Sequence, residues 1–325
     1  MRKLTSSVLL CAAAAAAPAI AQADECGQVS ITEMNWASAS VVTNVAKFIM
    51  EQGYGCEVSV VPSDTVPAVT SVAENGEPDI VTELWLNSTG EVYKRLEAEG
   101  KVERLGEVLT PGGVEGWWLP TYVVEEHPEL KTIEGIMANP ELVDAQFNNC
   151  PDGWGCRIVN DNLIQALNLE DSGIEVFNHG SGETLASSMA SAVGKGEPWF
   201  GYYWGPTVPL GKFDMTRIDL GEYNAEAHAA NQNQDNDNPQ VSDFPAAPVL
   251  TSVTTDFKDR EPEVADMLSK MTFKTGTMSA VLAWKSDNNA SAEEAAVYFL
   301  SNNANTWKEW LNDSARAKLA TILGG

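Results

Sequence analysis

The chain has 325 residues, with 20 Lys and Arg against 46 Asp and Glu, a formal net charge of −26, and 10 Trp, 5 Cys and 3 His. A surface this negative repels phosphate backbones and anionic headgroups, which excludes nucleic-acid partners and membrane-surface binding. Hydrophobic content of 44% with 20% charged residues describes a globular chain long enough for two compact lobes. Three histidines leave little material for a His-based metal or catalytic centre.

Residues 1–23 read as an export signal. Arg2 and Lys3 form the positive start, residues 8–17 the apolar stretch and Ala21-Gln22-Ala23 the small-x-small cleavage site. Cleavage after Ala23 removes two basic residues and no acid, taking −26 to −28. The apolar run is too short to span a bilayer, so the expectation is a periplasmic chain without direct membrane insertion. Cys11 leaves with the signal. The remaining Cys26, Cys56, Cys150 and Cys156 form an even set, which reads as disulfides in an oxidising compartment, with three possible connectivities. Cys150 and Cys156 flank a five-residue loop, and Cys26 and Cys56 sit just before two successive expected strands, so Cys26–Cys56 and Cys150–Cys156 are the expected pairs. These spacings do not suit zinc.

Residues 29–33 are β-rich, and in 38–52 Val41, Val42, Val45, Phe48 and Ile49 share one helical face before Gly53. Strand 56–62, helix 65–74, strand 79–85 and a charged helix 89–99 follow. A second series after Trp118 contains helix 157–169, strand 174–178, helix 182–194 and an aromatic strand 199–204. Residues 231–238 are an Asn- and Asp-rich loop, 249–254 a strand, and 262–323 helical. The alternation predicts an α/β fold of two lobes, each a mainly parallel sheet flanked by helices. The expected division is 1–23 signal, 24–117 lobe I, 118–241 lobe II and 242–325 completing lobe I.

Open α/β sheets bind ligands beyond the carboxyl ends of their strands. Trp36, Trp85 and Trp204 lie at or just after three strand ends, and Trp154 stands in the Cys150–Cys156 loop before a helix. Facing lobes would bring these four indoles together. Trp117–Trp118 mark the expected crossover, one of them facing the cleft, while Trp284, Trp307 and Trp310 are assigned to packing. The negative face of an indole attracts a soft cation, and quaternary ammonium recognition follows from it. Glu33, Glu83 and Glu115 lie within three residues of Trp36, Trp85 and Trp117 and can supplement such a cage or accept a ligand hydroxyl. Gly155, Cys156 and Arg157 open a helix whose free N–H groups suit an anionic oxygen. Cation and oxyanion sites side by side describe a small zwitterion.

Cys150-Pro151-Asp152-Gly153-Trp154-Gly155-Cys156 resembles the disulfide-closed CNPGWGC loop of the glycine betaine/proline betaine periplasmic binding proteins of ABC importers. Tyr202-Tyr203-Trp204-Gly205-Pro206 is similar to that family's YYTWTP strand end, Thr82-Glu83-Leu84-Trp85-Leu86 to its AVNWTP segment, and Phe244-Pro245 with the run after it to its FPVST strand. The resemblance spans nearly the whole mature chain. It implies a type II periplasmic binding protein with its ligand in the inter-lobe cleft, Trp85, Trp154 and Trp204 as the cage, and the Gly155 and Cys156 amides on the ligand oxygen. It also implies an ABC permease in the inner membrane as partner, recognising the closed form. Two departures shift the expected ligand. Four residues after the first cage Trp the betaine binders have a carboxylate-holding His, and here Thr89 stands there; Trp36 and Glu115 are additions. The change points towards trimethylamine N-oxide or choline, with glycine betaine kept open by Arg157.

An enzyme would need a nucleophile with its base or a paired acid and base. His127, His179 and His228 belong to no such motif, and no phosphate loop is present. A sugar binder would also use Trp platforms, but with more Asn, Asp and Arg clustered at strand ends. Asp235 and Asp237 match a calcium loop only in part, lacking its Gly and distal Glu. No cofactor and no metal are expected.

Overall fold

The computed structural model describes residues 26–324; the signal segment 1–23 and Cys11 lie outside the described residues. Ten strands form one continuous mixed sheet: β1 (Gln28–Met34), β2 (Glu57–Ser63), β3 (Ile80–Trp85), β4 (Val102–Pro120), β5 (Gln146–Asn149), β6 (Glu175–Asn178), β7 (Gly201–Gly205), β8 (Met215–Arg217), β9 (Ala247–Thr254) and β10 (Phe273–Lys274). Their order is β2-β1-β3-β9-β4-β7-β5-β6, with β8 and β10 also on β4.

The outer strands are parallel, as the βαβ pattern requires: β2 with β1, β1 with β3, and β5 with both β6 and β7. Helices α1 (Ala37–Ile49) and α2 (Thr65–Asn75) make the first crossovers, and α3 (Gly90–Ala98) follows β3. Helix α1 buries Val41, Val42, Val45 and Ile49 of the face read from the sequence, with Phe48 partly buried beside them. Strand β3 is buried at every position, the mark of a strand covered on both faces. The middle of the sheet is antiparallel, because β4 and β9 carry the chain between the two halves.

Strand β4 is the main departure from expectation. It pairs with β9 from Val102 to Gly113 and with β7 from Val114 to Trp118, so one strand of 19 residues belongs to both halves. Pro111, Gly112 and Gly113 interrupt any alternation there, which hid it in the sequence. Strands β5 and β8 and the short helical turns between Thr121 and Val143 also escaped notice, being too short to show a period. Trp117, placed with Trp118 at the crossover, lies wholly in the core of the second half. It packs on Phe147 and Phe200 and donates Nε1–H to Asn160 Oδ1 at 3.0 Å. Trp118 donates to the Tyr203 carbonyl, and neither ring faces the cleft. Both expected disulfides are formed, with Cα–Cα distances of 4.4 Å for Cys26–Cys56 and 6.3 Å for Cys150–Cys156. Trp307 and Trp310 are buried, and Trp284 stacks on Tyr298. No helix among the described residues is long and apolar enough to cross a membrane.

Candidate functional site

Between the halves lies a cavity of about 30 Å³ lined by Trp36, Thr65, Trp85, Ser88, Glu115, Trp154, Gly155, Cys156, Tyr202 and Trp204. Of the residues singled out from the sequence, Trp36, Trp85, Glu115, Trp154, Gly155, Cys156 and Trp204 meet there, while Glu33, Glu83 and Arg157 do not line it. Trp85 ends β3, Trp204 lies near the end of β7 and Trp36 follows β1, so strand ends deliver three of the rings. The fourth, Trp154, precedes the helix Gly155–Leu167. All four indoles are 4–6% exposed.

Trp154 is the bridging ring. It meets Trp36 edge-on at 5.1 Å and 71°, and Trp204 at 5.0 Å and 82°, the geometry that sets a positive ring edge against a negative face. Its Nε1–H points across the cleft to Asn35 Oδ1 at 2.5 Å and Asp64 Oδ1 at 3.2 Å, while Val66 N–H donates to the Gly153 carbonyl at 3.1 Å. These bonds tie the disulfide loop to the start of α2. Burial raises the Asp64 carboxyl, against the pull of the Trp154 N–H.

Close approaches fix two positions as glycine. A Cβ on Gly113 would strike the ring of Trp85, which lies flat across β4, and one on Gly155 would strike the Ser88 carbonyl. The helix start at Gly155 and Cys156 is therefore pressed against residues 86–88, the turn after β3.

Two acids belong to the site. Glu115 on β4 is 2% exposed and takes the Tyr202 hydroxyl on Oε1 at 2.7 Å, the Asn87 amide on Oε2 at 3.1 Å and a longer bond from Ser88 at 3.5 Å. Burial raises its carboxyl, and the bonds from Tyr202, Asn87 and Ser88, with the Arg217 charge, oppose the rise. Burial and the neighbouring Glu115 keep the Tyr202 hydroxyl protonated, hence a donor. Glu83 on β3 is fully buried and outside the lining. Its Oε1 accepts Trp36 Nε1–H at 2.7 Å and the Ser38 hydroxyl at 2.6 Å, and burial pushes its carboxyl up to about 7. Glu33, the third acid considered, is half-buried on β1 and away from the cavity.

Arg157 is turned away. Its guanidinium bonds Asp161 at 2.8 Å and Asp152 at 2.8 Å, so it offers nothing to a carboxylate in the cage. Among the described residues no Lys, Arg or His lines the cavity. His179 and His228 are buried elsewhere and burial lowers both, favouring the neutral ring. The 231–238 loop bonds to itself through Asn231, Asn233 and Asn236, and no metal-holding group of three His, Cys, Asp or Glu is found among the described residues.

Thr65, Ser88 and Tyr202 line the cavity without having been singled out. Tyr202 was legible, since residues two apart on a strand share a face and Trp204 was already placed. Thr65 and Ser88 carry no signal that separates them from other hydroxyls.

A two-lobed binding protein whose lobes meet over an aromatic cavity is the class that this fold and site define. Residues 27–302 match the substrate-binding domain of the ABC-type glycine betaine transport system, and the chain belongs to that family of importer binding proteins. It is similar to the trimethylamine N-oxide-binding protein of Pelagibacter ubique strain HTCC1062, 22% identical over 297 residues, or 88% of this chain and 91% of that one. Among solved structures, the glycine betaine/L-proline-binding protein of Borrelia burgdorferi superposes with a TM-score of 0.74 at 17% identity, covering 90% of this chain and 99% of that one. A choline-binding protein in complex with choline gives 0.73 at 19% identity, over 92% and 99%. Both share the two-lobed fold.

Proposed function

We propose that the cavity binds a small methylated onium compound, trimethylamine N-oxide before choline or glycine betaine, and holds it by closure of the lobes 24–117 with 242–325 and 118–241. Trp36, Trp85, Trp154 and Trp204 supply π-faces for the methylated nitrogen, which has no N–H to donate and so gains more from indoles than from hydrogen-bond acceptors. Rings from both halves contact it only when the cleft is shut, which is how ligand shifts the open–closed equilibrium. The shut form is the one offered to an inner-membrane permease from the periplasm, and no chemistry is performed on the ligand.

The observation that carries the choice of ligand is the polar end of the cavity: an enclosed acid raised towards its protonated form, and no cationic side chain among the described residues. A protonated Glu115 donates to an N-oxide oxygen. A ligand carboxylate would find no cationic side chain among the described lining residues to pair its full charge, only the Gly155 and Cys156 N–H groups and hydroxyls. The relative named for trimethylamine N-oxide supports the same choice. Calorimetric titration with trimethylamine N-oxide, choline, glycine betaine and dimethylsulfoniopropionate tests it. The N-oxide is expected to bind tightest, and more weakly as pH rises and Glu115 loses its proton. Tightest binding of glycine betaine refutes the assignment, and tightest binding of choline moves it to an ionised Glu115 accepting the ligand hydroxyl.

A further inference from the structure

Behind the cage, β3 does something the ligand reading leaves unused. Glu83 stands at a bulge: Val81 pairs with Ser252 and Leu84 with Leu250, so β3 holds one residue more than β9 between those pairs. Its φ is +52°, a left-handed conformation that a non-glycine residue adopts at a cost and keeps where surrounding structure holds it. The bulge turns the Glu83 side chain inward, where Oε1 takes both the Trp36 indole and the Ser38 hydroxyl of α1 while Oε2 accepts no hydrogen bond.

Trp36 needs such a hold. A wider cavity of about 130 Å³, lined by Trp36, Ser38, Gly182, Tyr203, Trp204 and Leu282 among others, also borders this ring. Trp36 and Trp204 thus stand between the two cavities, and although both are buried, a ring bordered by cavities has fewer packed neighbours than one enclosed by protein on every side. Beside its edge contact with Trp154, the N–H bond to Glu83 is the directional contact that holds the ring.

We propose that Glu83 is the positioning residue of the cage: through Trp36 Nε1 and Ser38 Oγ it fixes the Trp36 ring and the start of α1 in the orientation the ligand requires. The groups facing Glu83 are the Trp36 and Ser38 donors and the nearby Trp85 indole, and no charged side chain among the described residues shifts it; Glu115 on β4 is the other acid at the cavity. A cation held against Trp36 favours the ionised carboxylate at the far end of that N–H bond. Binding of a permanent cation therefore releases a proton from Glu83 to solvent near neutral pH.

This rests on the cage reading above, and the experiment separates the two. Trimethylamine N-oxide and choline are titrated calorimetrically into the full mature chain, wild type, E83L, E83Q and W36F, in two buffers of different ionisation enthalpy, with thermal unfolding as the control for folding. E83L is expected to lose about tenfold or more in affinity through misplacement of the ring, and E83Q, whose amide oxygen still accepts both bonds, to return within about threefold of wild type. W36F keeps a ring without its N–H and is expected to weaken binding, with E83L adding little on top of it. Proton release on choline binding is expected for wild type and reduced for E83Q. Wild type that binds neither compound overturns the cage reading and this proposal together. Wild type that binds, with a folded E83L equal to it, overturns this proposal alone; if E83L does not fold, W36F binding as tightly as wild type does the same.

Discussion

Glu83 and Glu115 are both enclosed, both on strands that meet at the cage, and both pushed towards the protonated form by burial. Their oxygens are used differently. Glu115 spreads Tyr202, Ser88 and Asn87 over both oxygens and faces the cavity, so it has the geometry to meet a ligand. Glu83 puts both donors on one oxygen, leaves the other bare and sits outside the lining, so it acts on the rings. The same residue type, nearly equally buried, lines the cavity or stands behind it according to which side of the indoles it occupies, and the two proposed roles follow from that difference.

The largest expected effect comes from removing the rings that both acids serve. Trp154→Ala and Trp204→Ala should each weaken binding by well over tenfold, since a cation–π contact of roughly 0.5–2 kcal/mol is lost together with apolar burial of roughly 1.5–3 kcal/mol. Trp154 should suffer more, because its loss also cuts the bonds to Asn35 and Asp64 that cross the cleft. Titrations of both variants within threefold of wild type would remove the cage and with it the distinction between the acids.

The sharpest test of the ligand-facing role is Glu115. Glu115→Ala should cost about tenfold in affinity for trimethylamine N-oxide, the worth of roughly one hydrogen bond to a charged group. Glu115→Gln, which still donates through its amide, should keep most of the affinity and lose its fall with rising pH. A Glu115→Gln profile that still declines as wild type does would assign the titration to another group.

For Glu83 the corresponding quantity is stability against pH. Its folded carboxyl titrates at about 7 against an ordinary 4.5. The raised value means that the stabilising state is the protonated one, fully present below about 4.5 and lost as pH rises through about 7, on the order of 3 kcal/mol at most. The melting temperature of wild type should fall from about pH 5 to pH 8, and Glu83→Gln should fall less. Glu115 contributes in the same direction, so the slope should shrink without vanishing. Parallel slopes for the two proteins would count against a buried, protonated Glu83.

Much of this contrast was legible in the sequence and some of it was not. The four tryptophans that line the cavity are legible because they fall at strand ends and in a cysteine-closed loop, positions set by local pattern. Glu115 and Glu83 both lie near tryptophans in the sequence, but so does Glu33, which does not line the cavity although it sits near the carboxyl end of β1. Separating the three requires the long-range register: Glu115 faces Trp204 across β4 and β7, and Glu83 is turned inward by a bulge against β9. Neither pairing has a local signature. Strand β4, which supplies the register, is itself hidden by Pro111, Gly112 and Gly113, and with it the fact that neither Trp117 nor Trp118 faces the cleft, where one of the two was expected.

The smallest expected effect concerns the loop that carries Trp154. The Cys150–Cys156 bond closes a short loop whose geometry is also held by Val66 N–H on the Gly153 carbonyl, the Asn149 side chain on Cys150 N–H at 2.8 Å and Arg157 on Asp152. With that many independent ties, opening the disulfide frees the loop only in part. Reduction should weaken binding a few-fold, less than loss of the Trp154 ring, because ring and helix start remain but are ordered at a conformational cost of about 1 kcal/mol per freed residue. The comparison of reduced with oxidised protein by titration, with the free thiols counted, decides it. Unchanged affinity with the bond open would mean that the bonds to Asn35 and Asp64 position Trp154 by themselves, and that the disulfide serves the stability of the second half.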